Sequence, residues 1–263
     1  MTHEKATNYL APTGPAALWE RLGAALYDPF LARGERLGMT ERRAALLTEA
    51  RGRVLEIGAG TGLNLAHYPV TVEELVLTEP VIPMAERSRA RVAESDSRRE
   101  LKVVEAPAEE LPFPSASFDT VVSTMVLCTV ADVEAALSEI ARVLMPGGRL
   151  LFIEHVHADG TRLGRWQLRM AGLWATWGQG CRCDRDLVSA IGSQFDLRVV
   201  RTAEWTGMPV LVRPLVVGSA TPARVARHGS RAHHVTDRTD HAPVRRPAER
   251  WTRAGHGAAA HSH

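Results

Sequence analysis

Lysine is almost missing from this 263-residue chain. Only Lys5 and Lys102 stand beside thirty arginines, a bias that reads as genome composition rather than as a binding device. Cysteine is equally scarce. Cys128, Cys181 and Cys183 are too few and too unevenly spaced for a disulfide framework, so a reducing cytoplasm is expected. Cys181-Arg182-Cys183 invites a metal reading, but no second Cys/His pair with ligand spacing follows it in the body, and no metal is expected. No run approaches the ~18 apolar residues of a membrane span, and the N-terminus has no signal-peptide core, which predicts a soluble protein with no membrane span. A strong excess of one charge is also lacking: the formal net charge is +2. The stretch 219–263 holds eight Arg against three acidic residues, which leaves 24 basic and 27 acidic residues before it. A slightly acidic body excludes a nucleic-acid groove as its main surface.

What is present falls into three parts: a helical segment over 1–50, a main domain over 51–218 and a tail over 219–263. In the first, Leu18, Trp19, Leu22 and Leu26 recur at helical spacing, and Thr40 opens a second helix towards Ala50. The main domain alternates short apolar runs with amphipathic helices. Strands are expected at Val54–Ile57, 74–79, 101–105, 118–123 and 149–155, with two later ones near 197–201 and 210–217. Helices are expected after Pro83, after Asp132 and over Arg162–Trp177, with a shorter one starting near Asp184 or Asp186. Strands alternating with helices predict a mostly parallel α/β sheet covered on both faces. The tail is rich in Arg, His, Ala and Pro, with Trp251 its only aromatic residue, and is expected to be disordered. Its seven histidines offer loose metal contacts at most.

The chemistry concentrates in Val54-Leu55-Glu56-Ile57-Gly58-Ala59-Gly60-Thr61-Gly62. A strand that enters a glycine-rich turn and then a helix lets backbone approach a ligand closely. A dinucleotide site needs glycine at 63, where this chain has Leu63. Glu56 at the strand end would repel a pyrophosphate and suit a cationic ligand. S-adenosyl-L-methionine (AdoMet), with its α-amino group and sulfonium, fits that description. Glu79, at the end of the second strand, is placed to accept from both ribose hydroxyls.

The segments VLEIGAGTG, AEELPFPSASFDTVV and RVLMPGGRLLFIEH resemble the class I AdoMet methyltransferases of the "type 11" kind, relatives of the quinone-biosynthesis C-methyltransferases. The resemblance covers Val54 to His155 and implies a Rossmann-like fold with a mostly parallel seven-stranded sheet. It implies AdoMet held by Glu56, Gly58, Ala59, Gly60 and Gly62, with Glu79 and Pro80 at the ribose. Pro107 and Ala108 would border the adenine, and Thr124 with Met125 the methionine half. Many relatives carry Asp where this chain has Pro107, which leaves Glu109 or backbone to meet the adenine amino group. STMVLCTV, LLFIEHV, the Trp-rich helix, GQGC and the late VRPLVVG are further similar to the mammalian methyltransferase-like thiol S-methyltransferases. Those relatives carry an apolar N-terminal anchor that this chain lacks.

Ligands of open α/β sheets lie beyond the carboxyl ends of the strands, so the loops 124–129 and 154–157 should face the transferring methyl group. His155 is the candidate general base or substrate orienter. Cys128, Cys181 and Trp166 are candidate pocket residues. Leu163, Trp166, Met170, Leu173, Trp174 and Trp177 share a helical face, read as packing onto the domain, a lid over an apolar acceptor, or a peripheral membrane contact. The expected activity is methyl transfer to a small, fairly apolar molecule, a thiol favoured over a quinol or phenol. A non-catalytic AdoMet-binding protein and an NAD(P)-dependent oxidoreductase remain as alternatives.

Overall fold

The computed structural model describes residues 14–96 and 99–223. Two helices, α1 (Pro15–Gly34) and α2 (Thr40–Leu47), come first, joined by a kinked turn in which Gly38 takes φ 116°. The strands are β1 (Gly52–Ile57), β2 (Val72–Thr78), β3 (Glu100–Val104), β4 (Phe118–Thr124), β5 (Leu144–His155), β6 (Phe195–Glu204) and β7 (Pro214–Pro222). Between them run α3 (Ile82–Ala93), α4 (Val133–Val143), α5 (Arg162–Trp177) and α6 (Leu187–Gln194). The seven strands form one sheet in the order β3-β2-β1-β4-β5-β7-β6. β1 to β5 pair in parallel, and β7 runs antiparallel between β5 and β6. The expected mostly parallel seven-stranded sheet is the one observed.

Parallel strands buried on both faces must be apolar at nearly every position. Val54, Leu55 and Ile57 of β1, Leu75 to Leu77 of β2 and Leu150 to Ile153 of β5 are all essentially without solvent contact. The helices cover them with their apolar stripes. In α4, Ala136, Leu137, Ile140 and Val143 are buried, and the Asp132 carboxylate caps the helix by accepting from the amides of Glu134 and Ala135. Asp186 caps α6 in the same way, accepting from the Ser189 amide.

Three expectations need correction. First, no α-helix follows the glycine turn. Residues 60–64 turn, a single 3-10 turn spans Leu65–His67, and Tyr68 is extended at φ −70°, ψ 129°. Gly62, left-handed at φ 84°, and Pro69, whose ring disfavours helical angles at Tyr68, leave room between them for only one short turn. Second, the main domain does not end at Gly218. β7 continues to Pro222, with Ser219 opposite Leu151 and Ala220 opposite Leu150. The rest of the expected disordered tail lies outside the described residues, as do the first 13 positions of the expected 1–50 helical segment.

Third, the expected apolar face of α5 is divided: Trp174 packs against the core and Leu163 and Met170 are half-buried, but the other large residues turn outward. Gly164, Gln167 and Ala171 are its buried positions, while Trp166, Leu173 and Trp177 are exposed. The Gln167 side chain dictates this choice. It donates to the carbonyls of Val156 and Leu211 and accepts from the Ala158 amide. Three loop groups are satisfied by one side chain, and Trp166, Leu173 and Trp177 take the other face. Trp177 meets Trp19 of α1 edge to face, with ring centres 5.5 Å apart. Among the described residues no helix is long and apolar enough to cross a membrane.

Gln167→Ala should therefore cost roughly 2–4 kcal/mol, since it orphans buried backbone groups. Asp132→Ala, which removes a cap, should cost only about 1 kcal/mol. Urea denaturation of both variants checks the ranking.

Candidate functional site

β1 ends in a turn whose three glycines, Gly58, Gly60 and Gly62, take φ 53°, 58° and 84°. Two of them matter for different reasons. A Cβ on Gly58 would stand 2.6 Å from Val126 Cγ2, so the turn and the loop after β4 pack too closely for any side chain. A Cβ on Gly60 would meet nothing nearer than Tyr27 Cε1 at 3.8 Å, which leaves that face of the turn available to a ligand. Glu79 fixes the turn from β2. Its Oε2 accepts from the Gly60 amide at 2.8 Å and its Oε1 from the Val81 amide at 2.9 Å. Burial raises the Glu79 carboxyl, and these two amides oppose the rise. A carboxylate has about four lone-pair sites, so two acceptor positions are left for hydroxyl groups.

Behind the turn lies a buried polar network that the sequence reading missed. Glu56 is 2% exposed; its Oε2 accepts from the Tyr68 hydroxyl at 2.7 Å and its Oε1 from Asn64 Nδ2 at 3.0 Å. Asn64 Nδ2 also donates to Thr124 Oγ1, and its Oδ1 accepts from Arg43 Nη1 at 3.0 Å. Arg43 is in turn paired with Glu35 at 3.0 Å. The network thus links α2, the glycine turn and the end of β4. Burial pushes the Glu56 carboxyl up to about 7, against the pull of Tyr68, Asn64 and Arg43. Both of its oxygens have internal donors, so the influence of Glu56 beyond this network runs through its field and through the Asn64 amide it orients.

The N-terminal helix straps the same turn. Asp28 accepts from Thr61 Oγ1 at 2.6 Å and from Arg91 Nη2 at 2.6 Å, and Arg91 Nη1 reaches the Thr61 carbonyl. One turn of helix thereby brings Tyr27 over Gly60. Burial pushes the Tyr27 phenol up to about 12, so it stays a neutral hydrogen-bond donor.

Glu154, inside β5, organises the other wall. It has no solvent contact, and its carboxylate accepts from Ser123 Oγ at 2.6 Å and from the amides of Val126, Leu127 and Cys128 at 3.1–3.2 Å. Burial raises this carboxyl and the four donors lower it. Met125, which starts the loop, sits at φ 61°, a sparsely populated conformation for a residue with a side chain.

The folded loop brings Cys128 to the next residue of β5. Cys128 Sγ lies 3.4 Å from His155 Nδ1, and Cys181 Sγ lies 3.5 Å from the same atom. All three side chains are buried, and His155 stacks on Trp205 with ring centres 5.6 Å apart. The other ring nitrogen, Nε2, is buried with no hydrogen-bond partner among the described residues. Hydrogen bonds from Cys128 and His155 pull the Cys181 thiol well below its ordinary range, while the same pairing and burial raise Cys128.

Other expected site residues are placed differently. Trp166 is 58% exposed on the outer face of α5 and does not join the Cys128–His155–Cys181 group. Glu109 accepts through Oε1 from the amides of Ala131 and Asp132, a task at the start of α4. Ala108 is buried, and Pro80 and Pro107 are half-buried along the edge beyond β2 and β3. Cys183 is buried away from Cys128 and His155, so the Cys181-Arg182-Cys183 pair is divided between two environments.

A seven-stranded sheet that is parallel except for one antiparallel strand, with a glycine turn after β1 and acidic residues at the ends of β1 and β2, is the class I methyltransferase architecture. A family model described as "Methyltransferase domain" matches residues 55–152. The chain is 31% identical over 176 residues to the thiol S-methyltransferase TMT1B of Rattus norvegicus, covering 64% of this chain and 69% of that protein. It is 36% identical over 144 residues to TMT1B of Homo sapiens, covering 53% of this chain and only 59% of that protein's length. Among solved structures, a Thermotoga maritima AdoMet-dependent methyltransferase, described as a possible histamine N-methyltransferase, superposes with a TM-score of 0.57 at 25% identity. That match covers 78% of this chain and 97% of the other. The chain belongs to the class I AdoMet-dependent methyltransferase family, in the group that includes these thiol S-methyltransferases.

The raised Glu56 carboxyl has a pH signature. A carboxylate whose folded value exceeds its unfolded one costs stability as pH rises between the two, from about 4.5 to about 7. The cost approaches about 3 kcal/mol above that window. Glu56→Gln should therefore melt higher than the parent at pH 8 without ligand, and at nearly the same temperature at pH 5. Thermal melts at the two pH values measure the difference.

Proposed function

We propose that the protein transfers a methyl group from AdoMet to the sulfur of a small, fairly apolar thiol. One observation carries the reading. The three sequence segments that resemble the thiol S-methyltransferases, STMVLCTV, LLFIEHV and GQGC, each contribute one residue to a single buried cluster at the ends of β4 and β5.

The donor side fits AdoMet on the residues present. Gly60 offers a bare backbone face, Glu79 has acceptor capacity for two ribose hydroxyls, and the Thr124 hydroxyl, which accepts from Asn64, keeps its own hydrogen for an amino-acid moiety. No helix N-terminus follows the turn, so the usual cradle for a pyrophosphate is absent among the described residues. Both features favour a cationic, phosphate-free ligand over a nicotinamide dinucleotide. When bound, AdoMet supplies a methyl group already activated by its sulfonium.

The protein's part is then mainly to orient the acceptor, and orientation alone is worth several kcal/mol. A thiol with a pKa near ~8.5 is partly ionised at neutral pH, so little further activation is needed. His155 is the residue proposed to favour and place the thiolate, because its imidazole stands at the acceptor end of β5. Cys128 and Cys181 hold that ring from one side, and Trp205 holds it from another.

A screen of small thiols, phenols and quinols with labelled AdoMet tests the reading. Product is expected on sulfur only; methylation confined to phenol oxygen or quinol carbon would overturn the thiol assignment. Glu79→Ala should weaken AdoMet binding at least several-fold with an unchanged far-UV spectrum, as calorimetry would show. His155→Ala should lower kcat by one to three orders of magnitude with AdoMet affinity nearly unchanged, and a fully active variant would remove His155 from the acceptor side.

A further inference from the structure

The Cys128–His155–Cys181 cluster poses a problem of hydrogen-bond arithmetic. His155 Nδ1 has either one lone pair or one hydrogen. Two sulfurs nevertheless lie against it, at 3.4 and 3.5 Å. Whichever way the protons are arranged, one of the two sulfur contacts is not a proper hydrogen bond. The site is also fully buried, where unmet polar contacts are costly.

The two thiols can pair with each other, but a shared metal ion would engage all three atoms directly. Tetrahedral zinc has bonds of about 2.3 Å to sulfur and about 2.0–2.1 Å to nitrogen, which sets ligand sulfur and nitrogen about 3.5 Å apart. The observed separations match, and the three donor atoms all lie within 4.8 Å of one another. We infer that Cys128, His155 and Cys181 form a binding site for a thiophilic divalent cation of the zinc type, with the fourth coordination position left for an incoming ligand. Three protein ligands and one open position is the arrangement of zinc sites that act on substrates rather than only brace the fold.

The surroundings suit such an ion. Binding releases the two thiol protons to solvent, and two thiolates with one neutral imidazole cancel the dication's charge. A neutral complex is the form that tolerates burial. The ligands also come from well-fixed backbone. Glu154 holds the Cys128 amide, and the Cys181 amide donates to the Gly178 carbonyl at 3.0 Å. Gly180 takes φ 84° just before Cys181, with a Cβ position only 3.2 Å from the Thr129 carbonyl oxygen, so the turn presenting this thiol is closely seated.

The occupant of the open position follows from the proposed thiol methylation and rests on that reading. An acceptor thiol ligating there would give its proton to solvent. Its sulfur would then form the bond to the methyl carbon as the sulfonium C–S bond breaks, with the electron pair leaving on the donor's sulfur. Metal binding itself rests on the geometry alone.

The test separates the two. Full-length protein, kept reduced with a phosphine and freed of metal, is titrated with Co²⁺ alone, without AdoMet or thiol. We expect one Co²⁺ per chain with intense near-ultraviolet thiolate-to-cobalt bands and strong visible bands of tetrahedral symmetry, displaced by Zn²⁺. The histidines beyond residue 223 can take up Co²⁺ as well, but imidazole gives no thiolate band, so the readout is specific to the cluster. Cys128→Ser and Cys181→Ser should each lose the bands, while Cys183→Ser, outside the cluster, should keep them. Absence of thiolate bands in the parent protein, or their survival in Cys181→Ser, would overturn the site. A small thiol that shifts the cobalt spectrum supports the open position. A cobalt-binding protein that methylates no thiol would keep the metal site and reject the proposed function.

Discussion

The carboxylate of Glu154 is the interaction on which the ends of β4 and β5, the proposed acceptor side, depend. It lies in the middle of a sheet that has no water to offer, and a charge there persists only if donors are supplied. The chain supplies four, a serine hydroxyl and three consecutive amides of the loop after β4. That demand curls the loop back over the strand end, holds Met125 in a left-handed conformation and sets Cys128 against His155. Glu79 does the same on the donor side, where one carboxylate accepts from both the glycine turn and the start of the next helix. The cleft is thus shaped by buried acids gathering backbone N–H groups, and apolar packing supplies the scaffold that keeps those acids dry.

A second consequence concerns the ligand. A phosphate-binding turn works because a helix N-terminus concentrates partial positive charge behind it. Here left-handed Gly62 and Pro69 leave no room for that helix, and the space behind the turn is filled by Asn64, Glu56 and Tyr68. The field at the turn is therefore of the opposite sign, provided Glu56 is ionised. A cation bound near it would hold the carboxyl in the charged form, so ligand binding and the titration of Glu56 are linked. The N-terminal helix adds a cover to this turn through the Asp28–Thr61–Arg91 triangle, which brings Tyr27 to Gly60.

Much of this was legible in the chain itself. Runs such as Val54–Ile57 and Leu150–Ile153 read as doubly buried strands because parallel sheets permit little else, and the Asp132 cap is visible as a signal of one residue type at one position, while Asp184 and Asp186 were equal candidates until the structure chose Asp186. Gly58, Gly60, Gly62 and Glu79 stood out because their spacing is local. Asn64 and Arg43 did not, since a single polar residue among apolar ones carries no sign of which distant partner will satisfy it. The outward turn of Trp166 was hidden for a related reason. Helical periodicity finds the apolar stripe of α5, but the stripe chosen for burial was decided by Gln167 and the three loop groups it meets.

The succession of strands and helices along the chain, the glycine turn and the family were determined by the sequence alone, because each is encoded in short-range pattern: periodicity, glycine at fixed offsets and a charged residue at a strand end. The meeting of Cys128, His155 and Cys181 was not. These residues are 27 and 26 positions apart along the chain, and no local spacing rule joins them. Only the parallel pairing of β4 with β5, and the return of the chain after α5, set their donor atoms around one point. Tertiary structure decided that site because chain closure, rather than composition, controls which distant side chains share a buried space.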